Sequence, residues 1–231
     1  MRRTLARSLL VLSGLPSLPP PRFDERTEAL LEPLADRIEA GDAAGLVDSP
    51  APLVEFLRWL AERRPLLFHG SAESDLRVLE PIRRSRDTTA FGDQQAVFAT
   101  ADPVWAIYFA VLRRGRGFGT RNGSMGLTAS SVYPRWYFFS VNRRPSSDTF
   151  TSGSLYVVPR APFAPEPAYL GLLDTGQWVS PSAVRPLVRI DVRPTDFPFR
   201  DAVVTHRDRE PMFVTRLRAA ARARRRGRTI R

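Results

Sequence analysis

Between residues 53 and 60 the apolar positions Leu53, Phe56, Leu57 and Leu60 fall at i, i+3, i+4 and i+7, which is one face of a helix. Ser49 and Pro50 precede them and suit a helix start. Upstream, Leu31, Leu34 and Ile38 share a face behind Asp24, a residue whose carboxylate caps the free N–H groups of a first turn. Pro33 lies inside that stretch and is expected to kink or split the helix, because it removes a donor and its ring crowds the preceding turn. Pro16-Ser17-Leu18-Pro19-Pro20-Pro21 reads as a stiff linker. Ahead of it, residues 5–12 carry a short apolar run. Arg7 interrupts the run and no small-x-small cleavage site follows, so a short helix or loosely ordered leader is expected rather than a signal peptide.

From Pro65 the texture becomes that of β structure. Residues 66–69, 96–100, 132–141, 155–158, 177–180 and 187–192 are apolar, aromatic or β-branched runs of strand length. Asp102-Pro103 is a cap followed by a first-turn proline and predicts a helix over 104–113. Residues 113–130, rich in Gly, Arg, Asn and Ser, read as a mobile loop, and the four prolines of 159–167 as an irregular one. There is no internal repeat. Runs of short strands with few helices indicate an α+β fold. The expected organisation is a leader and helical cap over 1–63, a main domain over 64–210, and a basic tail over 211–231.

Composition removes several chemistries. With no cysteine there is no disulfide framework, thiolate metal site or cysteine nucleophile. All 35 basic residues are arginine, so Schiff-base chemistry and a P-loop lysine are excluded. Two distant histidines, His69 and His206, do not suggest a metal site, and no Gly-x-Ser-x-Gly elbow supports a serine hydrolase. Eight arginines between Arg216 and Arg231, with no acidic residue among them, carry most of the net charge of +11; without them the body is at +3. That tail reads as a solvated basic helix or frayed terminus, or as a contact for nucleic acid or an acidic partner. No apolar segment is long enough to span a membrane, and a cytoplasmic location is expected.

The candidate chemistry begins at Pro65-Leu66-Leu67-Phe68-His69-Gly70-Ser71, an apolar strand ending in His-Gly-Ser. A second block follows over 95–110: the strand segment Val97-Phe98-Ala99, the turn at Asp102-Pro103, and a helix carrying Tyr108. This ordered pair resembles the NAD-binding core of ADP-ribosyltransferases of the diphtheria-toxin and poly(ADP-ribose) polymerase type, over roughly residues 65–196. The resemblance implies a split antiparallel β-sheet core behind the N-terminal helical segment. It also implies NAD as substrate and transfer of ADP-ribose to an unknown acceptor. Within it, His69 binds ribose, Gly70 clamps the nicotinamide carboxamide through its backbone with Ser71 following, and Tyr108 stacks on the nicotinamide. Glycine is expected at 70 because a missing Cβ lets a ligand approach. The strand aromatic falls on Val97, or on Phe98 with a one-residue shift. Successive strand residues face opposite ways, so only one of the two can wall the pocket.

The resembled family's third element is a strand bearing a catalytic Glu. Its best match is Gly176-Gln177-Trp178-Val179-Ser180, which puts Gln177 at that position. An amide has no charge to stabilise an oxocarbenium ion and cannot act as a base. Asp174 and Glu166 are the neighbouring carboxylates that could substitute. Two other readings stay open on the same fold. One is a non-catalytic NAD- or nucleic-acid-binding module, which Val97 and Gln177 favour. The other is a relative of RNA 2′-phosphotransferases, for which further His and Arg site residues are expected and His206 lies too far along the chain to fit readily.

Overall fold

The computed structural model describes residues 2–81, 91–115, 117–128 and 131–225. In chain order its main elements are α1 (Arg2–Leu12), β1 (Ser17–Leu18), α2 (Glu25–Glu39), α3 (Leu53–Arg63), β2 (Leu66–Ser71), β3 (Val97–Thr100), α4 (Pro103–Val111), β4 (Thr120–Leu127), β5 (Arg135–Val141), β6 (Gly153–Pro159), β7 (Ala164–Pro165), β8 (Leu173–Asp174), β9 (Gln177–Ser180), β10 (Val188–Val192), β11 (Val204–Thr205) and α5 (Met212–Arg225). The mixture of helices with mainly antiparallel sheets is an α+β arrangement. The larger sheet has the order β10-β6-β2-β3-β9-β7, antiparallel throughout. In the smaller sheet β4 lies between β8 and β5, while β1 and the parallel β11 pair with the two ends of β5.

Helix α4 is the element between the two sheets. On one side it presses on β2 and β6 through Ala106 and Ala110. A Cβ on Gly70 would meet the Ala106 carbonyl oxygen at 1.9 Å, and one on Gly153 would meet the Ala110 oxygen at 2.0 Å. Two glycines below two alanines therefore let a helix backbone lie almost on the sheet. On the other side α4 sends Tyr108 against Phe139 and Phe197. Leu31, Ile38, Phe56, Trp59 and Leu60 from α2 and α3 join Phe68, Tyr108 and Phe139 in the same buried cluster. Helices α2 and α3 are thus part of the core, and the supposed linker contributes β1. Pro33 does not split α2: the helix runs on through it, capped by Asp24 accepting from Thr27 N at 2.7 Å.

Two further expectations change. Eight residues of the loop foreseen over 113–130 form strand β4, built from the polar and small residues Thr-Arg-Asn-Gly-Ser-Met-Gly-Leu. Its neighbours explain the composition. Gly123 leaves room for the Phe138 ring, and Thr120, Asn122 and Ser124 supply hydrogen-bond partners to Tyr108, Trp105 and Asp102. Part of the basic tail is also built in: α5 buries Thr215, Ala219, Ala220 and Ala223, and the alanines 219 and 220 pack with Trp136, Phe138 and Val204. The tail beyond Arg225 lies outside the described residues.

The buried Asp102 joins these layers. Its Oδ1 accepts from Val104 N at 3.2 Å, Tyr133 OH at 2.8 Å and Tyr137 OH at 3.2 Å, and its Oδ2 from Ser124 Oγ at 2.7 Å. Arg135 Nε, 3.8 Å from Oδ2, donates to the same serine at 2.7 Å. Burial, and then the Asp102 charge, push both tyrosine phenols well above their usual range, so they remain donors. Asp102→Ala strands three hydroxyls and a buried guanidinium; it is expected to lower unfolding stability by about 3–5 kcal/mol in urea titrations. A loss under about 1 kcal/mol would show that the network is not central.

His206, buried beside Ser140 with Nδ1 2.9 Å from its Oγ, gives the fold a pH dependence. Burial and then the Arg121 charge depress its folded pKa. The unfolded chain therefore binds a proton more readily than the folded one. The contribution is complete above the unfolded value of about 6.5 and is lost as pH falls from there through the folded pKa. Thermal melts should show a midpoint that drops on acidification below about pH 6.5, and His206→Asn should flatten that drop. An unaltered slope in the variant would assign the effect to other groups.

Candidate functional site

Strand β2 is fully paired on one side only. Six register pairs, Leu66↔Pro159 to Ser71↔Ser154, join it to β6, whereas a single pair, Phe68↔Thr100, joins it to β3. Beyond Phe68 the two central strands part, and among the described residues the edge of His69-Gly70-Ser71 facing β3 has no ladder pair. The His69 ring lies at this edge, with Nδ1 2.7 Å from the Phe98 carbonyl oxygen. A carbonyl only accepts, so Nδ1 donates. Ser71 Oγ accepts from Glu73 N at 3.1 Å and shapes the turn that leaves the strand.

The two candidate strand positions face opposite ways. Val97 is buried with Leu67, Ala99 and Val158, while Phe98 points the other way, is half-buried, and belongs to none of the hydrophobic clusters of the described residues. Tyr108 corrects the expected stacking role. It has no exposed surface, its hydroxyl lies 2.5 Å from Thr120 Oγ1, and its ring sits 4.6 Å from that of Phe139. Burial raises its phenol pKa far above the usual value, as expected for a core tyrosine. The next residue, Phe109, is half-buried, with its ring 6.1 Å from Trp105 and the Arg114 guanidinium 5.3 Å above it. Phe109, which the sequence reading did not single out, is the half-buried aromatic of this helix.

Gly70 is at the expected place for a different reason. The space where its Cβ would be is filled by the backbone of α4, so close helix packing demands the glycine. A ligand could use its backbone only from the open β3 side.

Gln177 opens β9, paired with Thr100, and is half-exposed. The turn before it is fixed from below. Gly176, at φ +71, accommodates Arg135, whose guanidinium donates to Asp174 O at 2.9 Å and pairs with Asp174 Oδ2 at 3.2 Å. Asp174 Oδ1 accepts from Gly176 N at 2.6 Å, so this carboxylate holds the turn. Glu166 accepts from Thr175 Oγ1 at 2.6 Å and from Tyr169 OH at 3.1 Å. Strand alternation places Gln177 on the face of Thr100 and Phe68, and His69 on the face of Leu67 and Trp178. By the same alternation the Phe98 ring lies on the Gln177 face: the His69 ring reaches the Phe98 carbonyl oxygen, but His69 shares a face with neither the Phe98 ring nor Gln177. His206 lies with Ser140 of the smaller sheet, which removes a second histidine from the neighbourhood of His69.

No protein-family model, curated protein or solved structure matches the chain. Among the described residues no helix is long and apolar enough to cross a membrane.

Tyr108→Phe should lower stability by about 1 kcal/mol, the usual worth of one hydrogen bond, through loss of its contact with Thr120. Urea titrations check it, and a variant as stable as the unmodified chain would show that this bond contributes nothing.

Proposed function

We propose that the chain binds NAD at the opening between β2 and β3 as an ADP-ribosyltransferase-like protein. One observation supports the reading: among the described residues, the ladder pairs of His69-Gly70-Ser71 run to β6 alone, where β2 parts from β3. A strand edge offers the backbone donor and acceptor that a nicotinamide carboxamide requires. Phe98 supplies aromatic surface on one face of the strand pair, and the His69 ring, donating from Nδ1 to the Phe98 carbonyl, lies at the same edge.

The reaction would break the bond between ribose C1′ and the nicotinamide nitrogen. Nicotinamide leaves as a neutral base with the electron pair of that bond, and a ribosyl oxocarbenium ion develops. An acceptor nucleophile captures it at C1′ and gives up its proton. The missing carboxylate makes this slow, because Gln177 brings a dipole where a negative charge would act most strongly. Gln177→Glu should raise the rate of nicotinamide release by roughly a hundredfold with little change in NAD affinity, since the charge acts on the transition state. His69→Ala should weaken NAD binding by about 1–2 kcal/mol. Nicotinamide release followed by chromatography, alongside calorimetry, checks these outcomes. No NAD binding by the unmodified chain would end the proposal. An unchanged rate in Gln177→Glu with loss of activity in Glu166→Gln would move the catalytic role to Glu166.

A second reading, an NAD-binding module without transfer, is favoured by the amide at 177 and by the opposite faces of His69 and Gln177. It predicts NAD binding with no nicotinamide release in any of these variants.

A further inference from the structure

The arginines of α5 do more than solvate a tail. With Thr215, Ala219, Ala220 and Ala223 buried, the helix turns Arg218, Arg222 and Arg225 toward the segment that follows β11. Together with Arg207 they line a cavity of about 630 Å³ that has no carboxylate in its wall. The cavity lies where α5 covers β11 of the smaller sheet, so the inference stands apart from the NAD reading.

The four guanidinium groups are not equally committed. Arg218 is neutralised by a two-pronged pair with Glu210, at 3.1 and 3.0 Å, and also donates to the Thr205 carbonyl. Arg222 donates through Nε to the Asp201 carbonyl at 2.7 Å and has no ion pair among the described residues. Arg207 and Arg225 have no side-chain hydrogen bond or ion pair among the described residues. Nearby, Glu210 is occupied by Arg218 and Thr215, and Asp208 is exposed beside Arg207. Three guanidinium groups without an ion pair among the described residues therefore face one cavity. Positions 218, 222 and 225 run about 10 Å along the helix at 1.5 Å per residue.

We propose that this cavity binds the phosphodiester backbone of a nucleic acid strand. A row of exposed, planar guanidinium forks suits a repeating phosphate more than one enclosed anion. Among the described residues the one ring in the cavity wall is the imidazole of His206, which is buried and bonded to Ser140 rather than exposed for stacking a base. Binding should accordingly be independent of sequence and steeply sensitive to salt.

The test is fluorescence anisotropy with a labelled single-stranded oligonucleotide of mixed sequence over a salt series. It compares the full chain with the triple variant Arg207→Gln/Arg222→Gln/Arg225→Gln. A control, Arg22→Gln/Arg26→Gln/Arg185→Gln, removes the same charge from exposed positions elsewhere, and thermal melts establish that both variants are folded. The cavity variant should bind at least tenfold more weakly. The slope of log K against log salt should fall by about 2, near 0.7 for each of three lost contacts. The control should bind like the unmodified chain. Equal loss in the control, or no binding by the unmodified chain, would overturn the proposal. So would competition by poly-glutamate matching that of an unlabelled oligonucleotide, which would indicate an acidic protein partner. Displacement by inorganic phosphate or pyrophosphate at micromolar concentration would indicate a small anion instead.

Discussion

One carboxylate with no access to solvent connects the layers of this fold. Asp102 ends the segment that follows β3, caps α4, and accepts from β4 and from the chain at Tyr133 and Tyr137. A buried carboxylate is costly unless its lone pairs are filled and a counter-charge lies near. Here five groups converge on it, and Arg135 carries the link on to Asp174 and to the turn before β9. Alone, burial would lower the Arg135 pKa; the Asp102 and Asp174 charges more than offset this and hold it raised. The start of β9, and with it Gln177, is thereby tied to the same centre that starts α4. Ala101 N, donating to Gly176 O at 2.9 Å, reinforces the tie.

A second constraint follows from α4. Its near contact with the sheet at Gly70 and Gly153 leaves no room for side chains there. The residues flanking Gly70 are therefore divided between two worlds, Phe68 in the main core and His69 in the opening toward β3. The candidate site is a by-product of this packing: a strand fixed from behind by a helix and from one side by β6, with its other side open.

Much of this was legible in the sequence because it was local. The capping residues Asp24 and Asp102, the strand ending in His69, the fully buried β5 and the Gln177 strand all follow from period, cap and β-branching. What was not legible was tertiary. β4 has the composition of a loop because its small and polar residues answer to Phe138, Trp105 and Asp102, which are distant in sequence. Pro33 is tolerated within a helix whose other face is held in the core by Leu31, Ala35 and Ile38. Tyr108 was a site candidate through the family resemblance alone; packing against Phe139 and Phe197 makes it core, and Phe109 is the one left half-buried. The arginines of α5 read as a solvated tail until the alanines between them were seen to be an interface.

The proposed ligand site is the opening between β2 and β3. A crystal structure of the chain soaked with a non-hydrolysable carba-analogue of NAD tests it most directly. The account predicts the carboxamide on the backbone of Gly70 and the nicotinamide ring against Phe98. A ligand bound elsewhere, with β2 and β3 unchanged and unoccupied between His69 and Phe98, would contradict it.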